Sequence, residues 1–468
     1  MLFSSQFFIY FFLALLFPSY YLMKSPAAKK AILVAFSLVF YAWGEPVFIA
    51  LMLFMVAFNY FGGLLVASCR TLRGARAWLA VSVGVDLVIL CVFKYTGFFV
   101  ESLNSVFRLS LPVPQIHMPI GISFFTFQAM SYVIDVYRGD VRCQRSLLKL
   151  ILYVSFFPQL IAGPIVRYKD IEDQLDDRKV RLYEINDGIF RFSVGLAKKI
   201  LIADRCAAAI NALYGLPNVT FVARWAGAFF FALQIYFDFS GYSDMAIGLG
   251  RMFGFRFNEN FRYPYASSSA TEFWRRWHIS LGTFFRDYLY IPLGGNRRHH
   301  IRNIFIVWLL TGFWHGASWN FVLWGLFYGL LLLFEKKFFL DFLDRIPKVV
   351  SVILSKAYFI FITVFGFSIF YFTKDLFPSL GYLFGIGVSS FSDVFTASVL
   401  SSNVFLFIGG VILSLPLISS FFKWFGSKVG VSYGVYRFSR IIAAAALIFL
   451  STVSMVGNSY SPFLYWAF

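Results

Sequence analysis

His315 is an imidazole in an apolar setting. It stands in Thr311-Gly312-Phe313-Trp314-His315-Gly316-Ala317-Ser318-Trp319-Asn320, within a stretch, residues 303–334, whose last preceding charge is Arg302. A helix over that separation rises about 20 Å, well into a hydrocarbon core about 30 Å thick. An ionisable side chain at that depth needs a cavity or a partner, so it reads as a functional group. Such a residue suits proton transfer, as a general base or as one station of a relay. The structural alternative is a packing histidine whose ring is hydrogen-bonded to a neighbouring helix.

A second histidine lies upstream, in the amphipathic region 266–302. Ser269 and Glu272 fit a capping box, which satisfies free backbone donors where a helix begins. Beyond it, Trp274, His278, Leu281 and Phe285 follow helical spacing and form one stripe of a continuous helix. Glu272, Arg275, Arg276, Thr283 and Arg286 form its other face. A helix so rich in Trp and Arg lies at a membrane interface rather than across it. Pro292 and Gly294-Gly295 end it, and Arg297, Arg298, His299, His300 and Arg302 follow. The stripe predicts that His278 points inward shortly before the chain re-enters the membrane with His315.

The third constellation is Tyr236-Phe237-Asp238-Phe239-Ser240-Gly241-Tyr242-Ser243-Asp244, within the otherwise apolar run 225–250. Asp238 and Tyr242 are one helical turn apart, and so are Ser240 and Asp244. Carboxylates inside such a run need partners, or a raised pKa that keeps them neutral. They read either as the polar lining of an active-site tunnel or as a buried network that ties helices together or pairs with the arginines of the next loop.

The elements that must carry these groups are membrane helices. The chain has 59% hydrophobic and 14% charged residues, and its mean hydropathy is +0.73. Apolar runs recur at 7–22, 47–66, 78–93 (broken only by Asp86), 225–237 and 441–456. This predicts an all-α, polytopic integral membrane protein with about 10 to 12 membrane-embedded segments, some of them re-entrant hairpins. A β-barrel would need short alternating segments, which are absent. The chain reads as a single membrane domain over 1–468, without repeats or low-complexity tracts, and its first run reads as a retained helix rather than a cleaved signal.

The net charge of +18 does not point to nucleic acid. Lys24, Lys29 and Lys30, then Arg70, Arg73 and Arg76, then Arg138, Arg142, Arg145 and Lys149 lie in short loops between apolar runs. That pattern marks cytoplasmic loops and puts the N-terminus outside. The polar stretch 167–187 mixes both signs and reads as a solvated loop or surface helix. Cys69, Cys91, Cys143 and Cys206 have no zinc spacing, and adjacent His299 and His300 would diverge on a helix, so no metal is expected. Gly248-Leu249-Gly250-Arg251-Met252-Phe253-Gly254 misses the dinucleotide fingerprint by one place and follows no strand. Its Gly250-xxx-Gly254 spacing, like Gly325-xxx-Gly329, suits close helix packing.

The block from Glu272-Phe273-Trp274-Arg275-Arg276-Trp277-His278 through Phe285-Arg286-Asp287-Tyr288-Leu289-Tyr290-Ile291-Pro292-Leu293-Gly294-Gly295-Asn296-Arg297 resembles the membrane-bound O-acyltransferase family, in particular its bacterial polysaccharide branch. Pro119-Ile120-Gly121-Ile122-Ser123-Phe124, Phe157-Pro158-Gln159-Leu160-Ile161-Ala162-Gly163-Pro164, residues 132–140 and 236–250, and the aromatic ending 461–468 match as well. The similarity covers 1 to about 335 well and the remainder loosely. It implies tilted helices around a central tunnel, with funnels from both faces meeting at His315. It implies His315 as the catalytic histidine and His278 as the second active-site position. Asp238, Ser240, Tyr242, Asp244, Trp274, Trp314 and Asn320 are then candidates for the tunnel lining, and Arg275, Arg276, Arg297 and Arg298 for holding the donor.

The implied activity is passage of an acetyl group from a cytoplasmic donor, acetyl-CoA or an acyl carrier, across the bacterial inner membrane. The implied acceptor is an exopolysaccharide, alginate or a similar polymer, with cellulose and peptidoglycan as alternatives. No bound cofactor is implied. Expected partners are a periplasmic or membrane-anchored acetyltransferase and the polysaccharide synthase and export complex, within a lipid bilayer. A neutral imidazole, with a reference pKa near about 6.5, suits His315 as general base, with His278 orienting or binding substrate; a covalent acyl-imidazole is the other route. Two rival classes are a transporter of acyl carriers, against which no inverted repeat is found, and a structural subunit of an export complex.

Overall fold

The computed structural model describes residues 1–468 except 177, 179, 217, 430–432, 457–462 and 465–468. The aromatic ending therefore lies outside the described residues, apart from Phe463 and Leu464. Among the described residues the regular structure is helical, with one isolated bridge between Thr220 and Ser390. The helices used below are α1 (Ile49–Ser68), α2 (Leu72–Phe107), α3 (Ile122–Arg138), α4 (Phe221–Met252), α5 (Ala270–Arg276), α6 (Ile279–Phe285), α7 (His300–His315), α8 (Trp319–Phe334), α9 (Lys348–Tyr371), α10 (Val394–Ser414) and α11 (Tyr433–Val456). Of these, α1, α2, α9, α10 and all but the first residue of α11 are long and apolar enough to cross a membrane. The chain divides into two compact units, one of Met1–Phe192 with Tyr242–Asn258, the other of Ser193–Gly241 with Glu259–Leu464.

In the first unit, polar side chains inside apolar helices are spent on ties between helices. Asn59 of α1 donates to Asp86 of α2 over 2.9 Å, which gives the one carboxylate of that apolar run a partner. Lys94 of α2 donates to Ser123 of α3 over 3.2 Å. Gly121, at φ 74°, begins α3, and a Cβ there would stand 2.7 Å from the Leu160 carbonyl. Both the left-handed backbone and the close approach require glycine.

The second unit holds both histidines. α7 and α8 are 16 residues each, a rise of about 24 Å, so they form a short hairpin with His315 as the last residue of α7. The hairpin closes tightly because a Cβ at Gly312 would lie 2.3 Å from the Phe321 carbonyl, and one at Gly325 would lie 2.3 Å from that of Trp308. Gly329 faces the Trp308 side chain, so the Gly325-xxx-Gly329 spacing serves close packing, as expected.

The continuous helix expected beyond Ser269 is broken. α5 ends at Arg276, His278 is left-handed (φ 43°, ψ 52°), and α6 starts at Ile279. The physical reason is a competing set of backbone bonds: Arg262 N–H donates to Arg276 O, and Ile279 N–H donates to Asn260 O, each over 2.9 Å. The loop at 260–262 thereby takes hydrogen bonds that a helix would have made internally. The capping box is also altered. Ser269 accepts from Glu272 N–H at 3.1 Å, but Glu272 accepts from Ser268 N–H at 2.9 Å. The buried carboxylate of Glu335 completes the start of α5, accepting from Ala270 N–H, Thr271 N–H and the Thr271 hydroxyl. An anion there suits the positive end of the helix.

Candidate active site

His315 and His278 are each 2% exposed. The His315 ring is walled on three sides by aromatic edges: Trp314 and Trp324 at 5.0 Å between centroids and Phe370 at 5.3 Å. The His278 ring meets Phe239 at 4.6 Å and Trp314 at 5.8 Å. Trp314 thus touches both imidazoles. Packing this close holds both rings in place.

A cavity of about 240 Å³ opens beside His278, with Trp274, His278, Leu281 and Phe285 on one wall and Trp308 and Thr311 of α7 on the other; His315 and Trp314, expected at the tunnel, are not on its wall. The four residues of the predicted stripe all face it, although the helix that was to carry them is broken at His278. Thr311 lies one turn before His315. Arg286 and Tyr290 also line the cavity. The wall is chiefly aromatic and aliphatic, which suits a slender, weakly polar arm rather than a charged sugar or nucleotide.

His278 is held by Asn260, which is fully buried. The Asn260 Oδ1 is 3.1 Å from His278 Nδ1 and accepts from the Ser280 N–H at 3.3 Å and the Ser280 hydroxyl at 2.9 Å. Burial without a nearby opposite charge pushes His278, which lies outside the five membrane-spanning helices, down to about 3. It is a neutral imidazole at physiological pH.

The other expected lining residues divide. Trp274 lines the cavity and packs edge-on against Trp324, the indole beside His315, at 5.4 Å. Asn320 donates to the carbonyls of Ile369 and Phe370 at 3.3 and 3.1 Å, which ties α8 to the end of α9 where Phe370 meets His315. Asp238 instead pairs with Lys199 at 2.7 Å, and Lys199 also reaches Asp204 at 2.8 Å. The second Asp238 oxygen accepts from Leu464 N–H at 2.8 Å. Ser240 is buried. Tyr242 and Asp244 belong to the first unit, where Tyr242 stacks on Phe3 at 4.7 Å and Asp244 pairs with Arg191 at 2.8 Å. The two carboxylates thus sit in ion pairs, and their partners are Lys199 and Arg191 rather than the arginines of the following loop.

The four arginines expected to hold the donor are not on the cavity wall. Arg275, Arg297 and Arg298 are exposed, and Arg276 pairs with Glu272 at 2.7 Å. Arg286 is the arginine that lines the cavity, and it pairs with Asp287 at 2.7 Å. Sequence reasoning also missed Asn260, Phe370, Lys199 and Glu335. Only Glu335 carried a signal, as the charge that closes the apolar run 303–334.

The profile of the membrane-bound O-acyltransferase family matches residues 141–373, a stretch that includes both histidines. The chain is 39% identical to a probable alginate O-acetylase AlgI of Azotobacter vinelandii over 100% of both chains. It is 47% identical to that of Pseudomonas putida over 73% of this chain and 72% of the relative. It is 36% identical to a peptidoglycan O-acetyltransferase of Helicobacter pylori over 71% and 70%. With helices throughout, five of them fit to span a bilayer, and a buried histidine pair inside the matched stretch, the chain belongs to the membrane-bound O-acyltransferase family and is a multi-pass membrane protein.

Proposed function

We propose that this protein is an O-acetyltransferase that moves an acetyl group from a cytoplasmic donor through the membrane for O-acetylation of an exopolysaccharide, alginate or a related polymer. The observation that carries this reading is the pair of buried imidazoles, His278 and His315, sharing Trp314, with His278 on the wall of a largely apolar cavity. In the transfer, the hydroxyl oxygen of the acceptor bonds to the acetyl carbonyl carbon and the carbon–sulfur bond of a thioester donor breaks. His315 takes the hydroxyl proton and returns it to the departing thiolate, so no net proton is released. His278 orients the reacting groups.

The donor arm enters from the cytoplasmic side along the wall formed by Trp274, Leu281 and Phe285, with Arg286 at the cavity and Arg275, Arg297 and Arg298 on the exposed surface drawing in an anionic donor, acetyl-CoA or an acyl carrier. The protein works in the bacterial inner membrane with its N-terminus outside and hands the acetyl group to a periplasmic or membrane-anchored partner. A hydrated polysaccharide would lose several kcal/mol for each hydroxyl stripped of water without a partner, which favours a small acceptor at the buried site.

The test compares the wild type with His315→Ala at equal membrane levels, with ester-linked acetate measured on the surface polymer. Loss of acetate supports the assignment; full acetylation by the alanine variant sinks it. Acetate found on peptidoglycan rather than on the exopolysaccharide would move the acceptor to the polymer named for the Helicobacter relative.

A further inference from the structure

We infer that Asn260 is the positioning residue of His278, locking its ring in the tautomer with the proton on Nδ1 and the lone pair on Nε2. The inference rests on the proposal that His278 serves the acetyl transfer. A backbone N–H can only donate, so the Asn260 atom facing Ser280 N at 3.3 Å is the carbonyl oxygen, not the amide nitrogen. That same oxygen stands 3.1 Å from His278 Nδ1. Two lone pairs at that distance would repel in a buried site, so Nδ1 brings the proton. The Ser280 hydroxyl gives its own proton to Asn260 at 2.9 Å and can share the Nδ1 proton as an acceptor at 3.4 Å.

The backbone joins the same device. Asn260 O accepts from Ile279 N–H at 2.9 Å, so one asparagine grips the ring and the residue after it. His278 needs that grip, because a non-glycine residue in the left-handed region costs about 1–3 kcal/mol. The imidazole is thus fixed in direction and in tautomer by a neutral amide. A carboxylate in this place would favour the imidazolium; the amide leaves Nε2 as the lone-pair nitrogen of a ring that lines the cavity.

The other groups around the ring leave this assignment intact. α4 brings Phe239, with Asp238 beyond it taken up by Lys199. α7 brings Trp314, followed by His315. The cavity wall beyond α6 brings Arg286 and Tyr290, and the 260 loop brings Glu259 as the neighbour of Asn260.

Two measurements test the inference on the full-length protein in nanodiscs. Nitrogen NMR on ring-labelled histidine, with the His278 signals identified by their loss in His278→Gln, should find Nδ1 protonated and Nε2 unprotonated at neutral pH; the reverse tautomer overturns it. The second is the near-isosteric Asn260→Asp, assayed for acetyl transfer across pH. A carboxylate against Nδ1 should raise the titration of His278 by about 1–3 pH units and add an acidic limb to the profile, about a tenfold loss for each unit below its midpoint. A profile that superimposes on that of the wild type overturns the inference, whereas undiminished activity of His278→Ala would overturn the underlying reading instead.

Discussion

The imidazole of His278 and the indole of Trp314 lie 5.8 Å apart between centroids, and the residue after Trp314 is His315. One aromatic side chain therefore couples a ring held by the 260 loop to a ring at the tip of a helical hairpin. Rigid placement is what acyl transfer demands, because a misplacement of about 1 Å can cost about a hundredfold in rate.

Asn320→Leu should loosen the His315 site from behind. The substitution removes both donors to the carbonyls of Ile369 and Phe370 and strands those acceptors among aromatic rings. The expected loss of stability is about 1–3 kcal/mol, with a drop in acetyl transfer because Phe370 packs on His315. Thermal unfolding in detergent and acetate transfer per molecule check this. A variant that melts and works like the wild type would show that the tie is dispensable.

Gly325→Ala should be far more damaging than a typical alanine. Its Cβ would press on the Trp308 carbonyl at 2.3 Å, so the two helices of the hairpin must part. The same change at Gly409 of α10, where nothing lies within 4 Å, is the control, and there alanine should be neutral or mildly favourable to the helix. Equal membrane levels and activities for the two variants would contradict the role given to the Gly312–Gly325 crossing.

These cases mark what the sequence could and could not disclose. Hydropathy and loop charge made the helical membrane class legible, and the burial of His315 agrees with its place in the apolar run after Arg302. The stripe Trp274, His278, Leu281 and Phe285 found the cavity wall even though the helix breaks, because the left-handed turn at His278 redirects the backbone while all four side chains stay on that wall. Asn260 was illegible, since an asparagine in a polar loop looks the same whether it is solvated or buried against a histidine. Asp238 and Asp244 were visible as groups needing partners, but Lys199 and Arg191 are distant in sequence and no periodicity connects them.

Stability should fall in acid because His278 is buried as the neutral ring. Above about pH 6.5 neither the folded nor the unfolded chain protonates it, and it adds no slope. Below that, the unfolded chain binds a proton that the folded chain refuses until the pH nears its folded value of about 3. Over that window stability declines by up to about 1.4 kcal/mol per pH unit. Melting temperatures of wild type and His278→Gln between pH values of about 7 and 5 should therefore converge toward acid. Parallel curves would mean that His278 is solvated and freely protonated.

The last prediction concerns which side of the membrane the donor approaches. The basic loops at 24–30, 69–76, 138–149 and 266–302 share one charge bias, and short basic loops stay in the cytoplasm. Arg297 and Arg298 are exposed, so a cysteine at 297 is open to reagents from whichever side it faces. The host for the labelling should lack Cys69, Cys91, Cys143 and Cys206, all of which are free thiols. In intact cells Arg297→Cys should resist a charged, membrane-impermeant maleimide, and it should react once the membrane is opened or inverted. The short turn Gly44-Glu45-Pro46 between the first basic loops carries no positive charge and is expected outside; Glu45 itself is buried, but the adjoining Val47 is exposed and should label from outside as Val47→Cys. If position 297 labels in intact cells while 47 does not, the topology is inverted. The His278 cavity would then open to the outside, and it could not receive a cytoplasmic thioester.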